Sequence, residues 1–526
     1  MTNETRAVGP DTSSRRRWVS LGAICTTAGL VWLAFADLGV AIPTIADDFG
    51  ADMSSLSWAN NAFSLVTGAL VIAAGKFGDV FGRRRMLQLG VLLFAACSVV
   101  AALAPNVEAL IVGRGLMGIG AAMILPATLA LIPPQFSGKA QLTAFGVWQG
   151  VAWGGQAVAP TIGGVVTDTV GWAWLFWINV PLGLIAYAVI RSTTPESADP
   201  DGSRHVDWLG LTTIGLAVFA LLYALTDGPS AGWTSPLIIT LLIVTVVLGI
   251  AWVVIESRVR EPLVDLSLFR LRSFDGALTA NLSMNLSYAG LSYLLVLWLQ
   301  NARGYSAVQA GLLMLPAVVG IFAFIPLGGR LDERLGGRTP VLVGLGTMVV
   351  GFLILGPLNA DSGLWLVAAG LVVIGLGLGL LSTPISNAAV GEAPASLSGT
   401  AAGVFKMSSM VGGALGVAIL TAFARGFSMA DSENAIDTAG LTPGDVDQAH
   451  QALVNSSSFA DALASLPADL RDHVTAAAID AFSTGVGRTM LVTAAGMLVA
   501  TVGVAFVWPR RRATVADAVT LHGVSE

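Results

Sequence analysis

Fourteen apolar runs, each long enough to cross a lipid bilayer, follow one another along this chain of 526 residues. A spanning helix needs about 20 mostly apolar residues. The runs lie near 18–45, 57–76, 86–104, 108–131, 141–166, 174–191, 208–226, 235–256, 275–301, 308–328, 340–358, 364–386, 399–423 and 488–508. Composition agrees, because 11% of the residues are charged against about 25% in soluble domains. The fold class expected is an all-α polytopic membrane protein. The first run follows Arg15-Arg16-Arg17 and lacks a small-residue cleavage site, so it reads as an uncleaved signal anchor.

Basic residues mark alternate loops. Arg15 to Arg17, Lys76, Arg83 to Arg85, Lys139, Arg191, Arg204, Arg258, Arg260, Arg270, Arg272, Arg330, Arg334, Arg338 and Arg510 to Arg512 fall on one side of an even number of spans. The opposite loops carry Asp47, Asp48, Asp52, Glu108, Asp168, Asp227 and Asp361. The positive-inside rule then predicts a multi-pass protein of the inner (plasma) membrane with both termini cytoplasmic.

Several function classes fall away. The net charge of −6 gives nucleic-acid binding no support, and Cys25 and Cys97 lie inside apolar runs, away from any disulfide or thiolate pattern. Four scattered histidines predict no metal, and no phosphate-binding Gly-x-x-x-x-Gly-Lys-Ser/Thr loop is present. Neither an enzyme nor a cofactor is expected. The expected partners are a small-molecule substrate, protons and the lipid bilayer, with a monomer sufficient.

The chain also repeats. Gly75-x3-Asp79 returns as Gly328-x3-Asp332 at an offset of 253, and Gly146-x8-Gly155 returns as Gly403-x8-Gly412 at an offset of 257. This duplication predicts a cytoplasmic tail at 1–17, an N-terminal six-helix bundle at 18–191, a linker with two inserted helices at 192–274, a C-terminal six-helix bundle at 275–508 and a second tail at 509–526. Two halves around a midplane cavity suit alternating access. The polar stretch 424–487 within the second bundle reads as an external loop with short amphipathic helices, one capped at Thr442-Pro443 and one starting at Pro467.

On these motifs the sequence resembles the major facilitator superfamily, and within it the fourteen-span drug:proton antiporters. Gly75-Lys-Phe-Gly-Asp79-Val-Phe-Gly82-Arg83-Arg84-Arg85 resembles the family's loop between spans two and three. Arg114-x3-Gly118 is similar to its intramembrane arginine motif, and Gly146-x8-Gly155-x3-Ala159-Pro160-x2-Gly163-Gly164 to its antiporter motif, with Ala159 where Gly is usual. The stretch from Trp172 to Gly183 resembles the entry to span six, with Ala173 in place of Arg. The resemblance implies a fold of two six-helix bundles plus two inserted helices, and export of hydrophobic or amphiphilic compounds against protons. It implies gating by Gly75, Asp79, Gly82 and Arg83, and by Gly155, Pro160, Gly163 and Gly164.

Within this frame Asp37, Arg114 and Lys406 are the candidates for proton coupling. Asp37 is the acid well within a span of the first half, and a carboxylate in an apolar setting is a candidate to take up and release a proton; the competing reading is a helix-end Asp near the outer interface. The family's acid aligns with Ala34, one turn away. Arg114 is either a participant in coupling, a structural clamp, or a side chain that snorkels outward. Lys406, where the family more often has Asn, could bind an anionic or carbonyl-bearing substrate, pair with Asp37, or release a proton itself. The substrate candidates are Lys406, Gln149, Trp153 and Gln156, with Asn281, Asn285, Tyr288 and Ser292 along one stripe of the ninth span; helix–helix hydrogen bonding is the competing reading of that stripe. A narrow-specificity exporter of an endogenous metabolite or antibiotic is the alternative function, and a non-transporting sensor a more distant one.

Overall fold

The computed structural model describes residues 10–51, 53–198, 207–259, 262–438 and 468–508, and every regular element among them is helical. The first bundle holds α1 (Pro10–Ala34), α2 (Leu38–Phe49), α3 (Met53–Phe81), α4 (Arg83–Ala102), α5 (Val107–Ala130), α6 (Gly138–Val170), α7 (Trp174–Trp177) and α8 (Asn179–Thr193). An inserted pair follows, α9 (Trp208–Ala231) and α10 (Pro236–Glu256). The second bundle holds α11 (Arg272–Leu297), α12 (Ala307–Leu313), α13 (Leu315–Leu335), α14 (Arg338–Leu355), α15 (Leu364–Ser386), α16 (Ser398–Thr438) and α17 (Ala468–Val507).

Among the described residues thirteen helices are long and apolar enough to cross a membrane. The remaining run, 141–166, is occupied by α6, whose 33 residues span it easily but whose Gly and Gln content dilutes its apolar character. Helix ends follow the local chemistry. Asn106 caps α5 by accepting from the Ala109 amide at 2.9 Å, Ser235 and Pro236 open α10, and Ser306 forms a reciprocal capping box with Gln309.

The duplication read from the sequence is visible in the packing. In the first bundle α3 and α4 pack on α5, α1 packs on α6 and α8, and α4 packs on α8; in the second, α13 and α14 pack on α15, α11 packs on α16 and α17, and α14 packs on α17. The halves meet through two equivalent pairs, α3 with α16 and α13 with α6. The inserted α9 lies on α3 and α16, while α10 reaches the bundle through α9, and its apolar window is only 6% buried.

Three expectations need correction. The run at 18–45 is two helices, because α1 stops at Ala34 and α2 restarts at Leu38, leaving Phe35 to Asp37 as a turn. The run at 174–191 is likewise divided into α7 and α8 at Ile178. The stretch 424–487 is not a loop throughout: α16 continues to Thr438 and α17 already starts at Ala468, directly after Pro467. Thr442 and Pro443 lie outside the described residues.

Glycines set how closely these helices approach. A Cβ on Gly290 would stand 2.6 Å from both the Gly416 carbonyl oxygen and a Leu420 methyl, so α11 and α16 touch backbone to backbone. Gly290→Val is expected to destabilise by about 1–3 kcal/mol through overpacking, lowering the melting temperature of detergent-purified protein. Gly346→Ala, in open space on α14, is expected to leave that melting temperature unchanged or slightly raised.

Candidate functional site

The two halves are locked together at the face where the described chain starts and ends. Gly75 and Gly399 admit the approach, since a Cβ on Gly75 would collide with the Gly399 carbonyl. Asp79, 3% exposed at the end of α3, reaches across to the start of α16. Its Oδ1 accepts from the Gly399 amide at 2.7 Å, and its Oδ2 accepts from the Thr400 amide at 2.7 Å and the Thr400 hydroxyl at 2.9 Å. A carboxylate placed there satisfies helix-terminal amides and interacts favourably with the positive end of the helix dipole.

Arg83 completes the interlock. Its Nη2 lies 2.6 Å from Asp79 Oδ1, and the same nitrogen donates to the Ala395 carbonyl just before α16. Nη1 donates to Ser197 at 2.9 Å. Gly82 turns the chain between α3 and α4 at φ +108°, a conformation that suits glycine. A side chain there would also strike Glu196, whose carboxylate accepts from the Arg84 amide. The equivalent loop of the second half is held differently: Asp332 accepts from Asn387 at 3.1 Å, Gln141 of α6 donates to Asn387 at 2.9 Å, and Lys139 pairs with Glu333 at 3.9 Å.

A second constellation surrounds the break between α1 and α2. Arg114 is fully buried and so does not snorkel. It donates to the Ala34 carbonyl at 2.8 Å, to Asn60 Oδ1 at 2.8 Å and to the Ala59 carbonyl at 3.3 Å, and its guanidinium lies 4.4 Å from the Phe63 ring centre. Asp37, 3% exposed, faces this guanidinium without forming an ion pair with it. It is thus both buried and at a helix end. Gly163 packs on its backbone, where a Cβ would stand 2.6 Å from the Asp37 carbonyl oxygen, and Gly155 packs on Gly29. Pro160 lies between these two contacts on α6.

Lys406 occupies a third place. Its Nζ lies 4.3 Å from the Trp148 ring centre, 5.2 Å from Phe405 and 5.3 Å from Trp32. A cation of the second half is therefore enclosed by two rings of the first and one of its own helix, an attractive but charge-unbalanced setting. Pairing with Asp37, one of the roles open from the sequence, does not occur; among the described residues Lys406 has no ion-pair partner. Trp148 is held by its indole donating to Thr128 at 3.1 Å.

The remaining candidates divide. Gln149 donates to the Ser382 carbonyl at 3.3 Å and Trp153 to the Ser382 hydroxyl at 3.2 Å, while the Trp153 and Tyr288 rings meet edge to face at 5.4 Å. These three residues come together at the seam between the halves. Asn281 instead ties α11 to α16, with its amide nitrogen 2.8–2.9 Å from the Phe405 carbonyl and the Ser408 and Ser409 hydroxyls. Asn285 donates back to Asn281, Ser292 is half-buried one turn beyond Tyr288, and Gln156 is exposed. Trp32, Trp148, Asn60 and Ser382 were not singled out from the sequence. Asn60 and Ser382 carried a signal as polar residues in apolar runs, whereas a Trp in such a run looks like ordinary packing. A groove of about 970 Å³ between α1, α6, α8 and α13 is lined by Gly150, Gly154, Phe322 and Ile325 and has charge only at the end with Lys139, Arg330 and Glu333; none of the substrate candidates lines it.

The sequence profile of the Major Facilitator Superfamily matches residues 24–417. The chain belongs to the major facilitator superfamily. As such it is a multi-pass membrane transporter of small molecules and not an enzyme. The transporter is 32% identical over 390 residues to the Quinolone resistance protein NorB of Staphylococcus aureus strain MSSA476, covering 74% of this chain and 84% of that one. For the same protein in strain MRSA252 the identity is 31% over 412 residues, 78% and 88% of the two chains. Its fold is similar to the crystal structure of the human organic anion transporter MFSD10 (TETRAN), with TM-score 0.57, 16% identity and coverage of 91% and 99%. It is also similar to a bacterial homologue of the lysosomal transporter Spinster, with TM-score 0.52, 17% identity and coverage of 95% and 98%.

Removing the Asp79 carboxylate strands the Arg83 charge and the first amides of α16. Asp79→Ala is expected to destabilise the closed seam by about 3–5 kcal/mol, read as longer spin-label distances between the adjoining ends of α3 and α16. Asp79→Asn, which keeps one acceptor oxygen, is expected to fall between the two.

Proposed function

We propose that this transporter exports hydrophobic or amphiphilic small molecules in exchange for protons by alternating access, with the face bearing both termini in the cytoplasm. The observation that carries the reading is Asp37, a buried carboxylate at a helix break, facing a fully buried Arg114 that it does not pair with. Adding or removing a proton there changes the net charge of a water-poor pocket, and so biases the two conformations that expose it differently. Gly163 of the antiporter motif packs on that break, so the charge change is felt by α6. The similarity to a protein named for quinolone resistance supports efflux as the direction.

Purified protein in liposomes with an imposed pH gradient tests this. Gradient-driven movement of a fluorescent amphiphile together with counter-flow of protons is expected, and Asp37→Asn is expected to abolish the gradient dependence while leaving substrate binding. Movement that ignores the gradient in both proteins overturns proton coupling.

Lys406 favours a second reading about selectivity. A cation enclosed by Trp32, Trp148 and Phe405, with no acidic partner, suits a flat aromatic compound that carries a carboxylate or carbonyl. Lys406→Met is expected to weaken binding of a carboxylate-bearing quinolone by tenfold or more, about 1.4 kcal/mol, and to affect a cationic dye little. Equal weakening of both by isothermal titration sinks the assignment.

A further inference from the structure

The inserted pair α9–α10 carries a buried acidic constellation that the transport reading does not use. Glu256, the last residue of α10, is 3% exposed, and its carboxylate lies near the Leu263 and Val264 amides and the Trp252 indole. Asp207, the N-cap of α9, is 8% exposed; its Oδ1 accepts from the Leu209 and Gly210 amides, while Oδ2 has no partner. The two carboxylates converge on one point beside Gly210, where a Cβ would stand 2.9 Å from Glu256 Oε1 and would collide with Asp207 Oδ2.

We propose that Asp207 and Glu256 form a proton-binding site, a carboxyl–carboxylate pair that holds one proton between them and fastens the base of the inserted hairpin. Two like charges facing each other in a buried setting repel, and a single shared proton removes the repulsion and gives the unpartnered Asp207 Oδ2 a hydrogen bond. The charged group that faces Glu256 among the described residues is Asp207. Neither Lys76 on α3 nor Arg258 just beyond α10 forms an ion pair with either carboxylate.

The site stands where it can act on the interlock. Trp208, the residue after Asp207, has its ring 6.1 Å from that of Phe77, two residues before Asp79. The chain that leads toward α9 leaves the same loop, since Arg83 donates from both backbone and side chain to Ser197. Leu222 of α9 fills the space over Gly68 of α3, beside Met410 of α16. A hairpin held at its base by the shared proton keeps α9 seated on the α3–α16 seam. Loss of that proton as pH rises leaves two buried charges and loosens the seat.

Infrared difference spectra and thermal unfolding of full-length protein in nanodiscs, recorded across neutral to alkaline pH, test the assignment with wild type, Glu256→Gln and Asp207→Asn. The expected result is a protonated-carboxyl band in wild type that is absent from the Glu256→Gln spectrum, and a melting temperature that falls with rising pH in wild type but not in either variant. A band unchanged by both substitutions overturns the proposal. So does a lower melting temperature of both variants at every pH, which would make the carboxylates ionised partners of Arg204, His205 or Arg260. Stabilisation of wild type by Mg²⁺ or Ca²⁺, lost in Glu256→Gln, would replace the proton with a metal ion. Asp37→Asn is expected to keep the pH-dependent melting, so failure of antiport and failure of this site are read separately.

Discussion

One carboxylate determines how the two halves meet. Asp79 accepts from two backbone amides and a hydroxyl of the other half while pairing with Arg83 of its own. A buried ion pair alone is weak evidence of stability, because desolvation offsets the attraction. Here the remaining lone pairs are filled by the start of α16, whose unsatisfied amides would otherwise be orphaned away from water. Each partner therefore removes the other's burial cost. The glycines at 75 and 399 are what make the geometry reachable, and Gly82 is what lets Arg83 fold back onto Asp79.

The pseudo-symmetric side is built from different parts. Asp332 takes the place of Asp79 and accepts from Asn387 of its own half, and an ion pair that crosses the seam, Lys139 with Glu333, is long and exposed. Exposed pairs of that kind contribute little. The duplication thus sets the architecture without giving the two junctions the same partners.

Apolar run length and the spacing of basic residues made the architecture legible, because lipid leaves helices few choices. The repeated glycine patterns likewise pointed to α6 and α16, which do occupy equivalent places. The break at Asp37 was not legible. Nothing in the run from 18 to 45 interrupts its apolar character before Asp37, and the turn is satisfied by Arg114 and admitted by Gly163, residues far away in sequence. The surroundings of Lys406 were hidden for the same reason: Trp32 and Trp148 read as packing residues until α1 and α6 bring them to one cation. Asn281 shows the opposite error of emphasis, since a polar residue in a span drew attention to a cavity but spends its donors on α16.

The position of α6 follows from these contacts and gives the proposed cycle a mechanical link. One stretch of it lies on α1 and the turn after it, through Gly155 on Gly29 and Gly163 on Asp37; another lies on α13 and α15, where Gly150 and Gly154 meet Phe322 and Gly146 meets Ile325 of α13 and Thr383 of α15. The groove between α1, α6 and α13 runs along these stretches, so α6 is the element that both halves share there. A change of charge at the α1–α2 break thus bears on a helix that already touches the opposite half, while Lys406 meets the same helix at Trp148. The acid and the cation do not pair, yet both meet α6, Asp37 at Gly163 and Lys406 at Trp148.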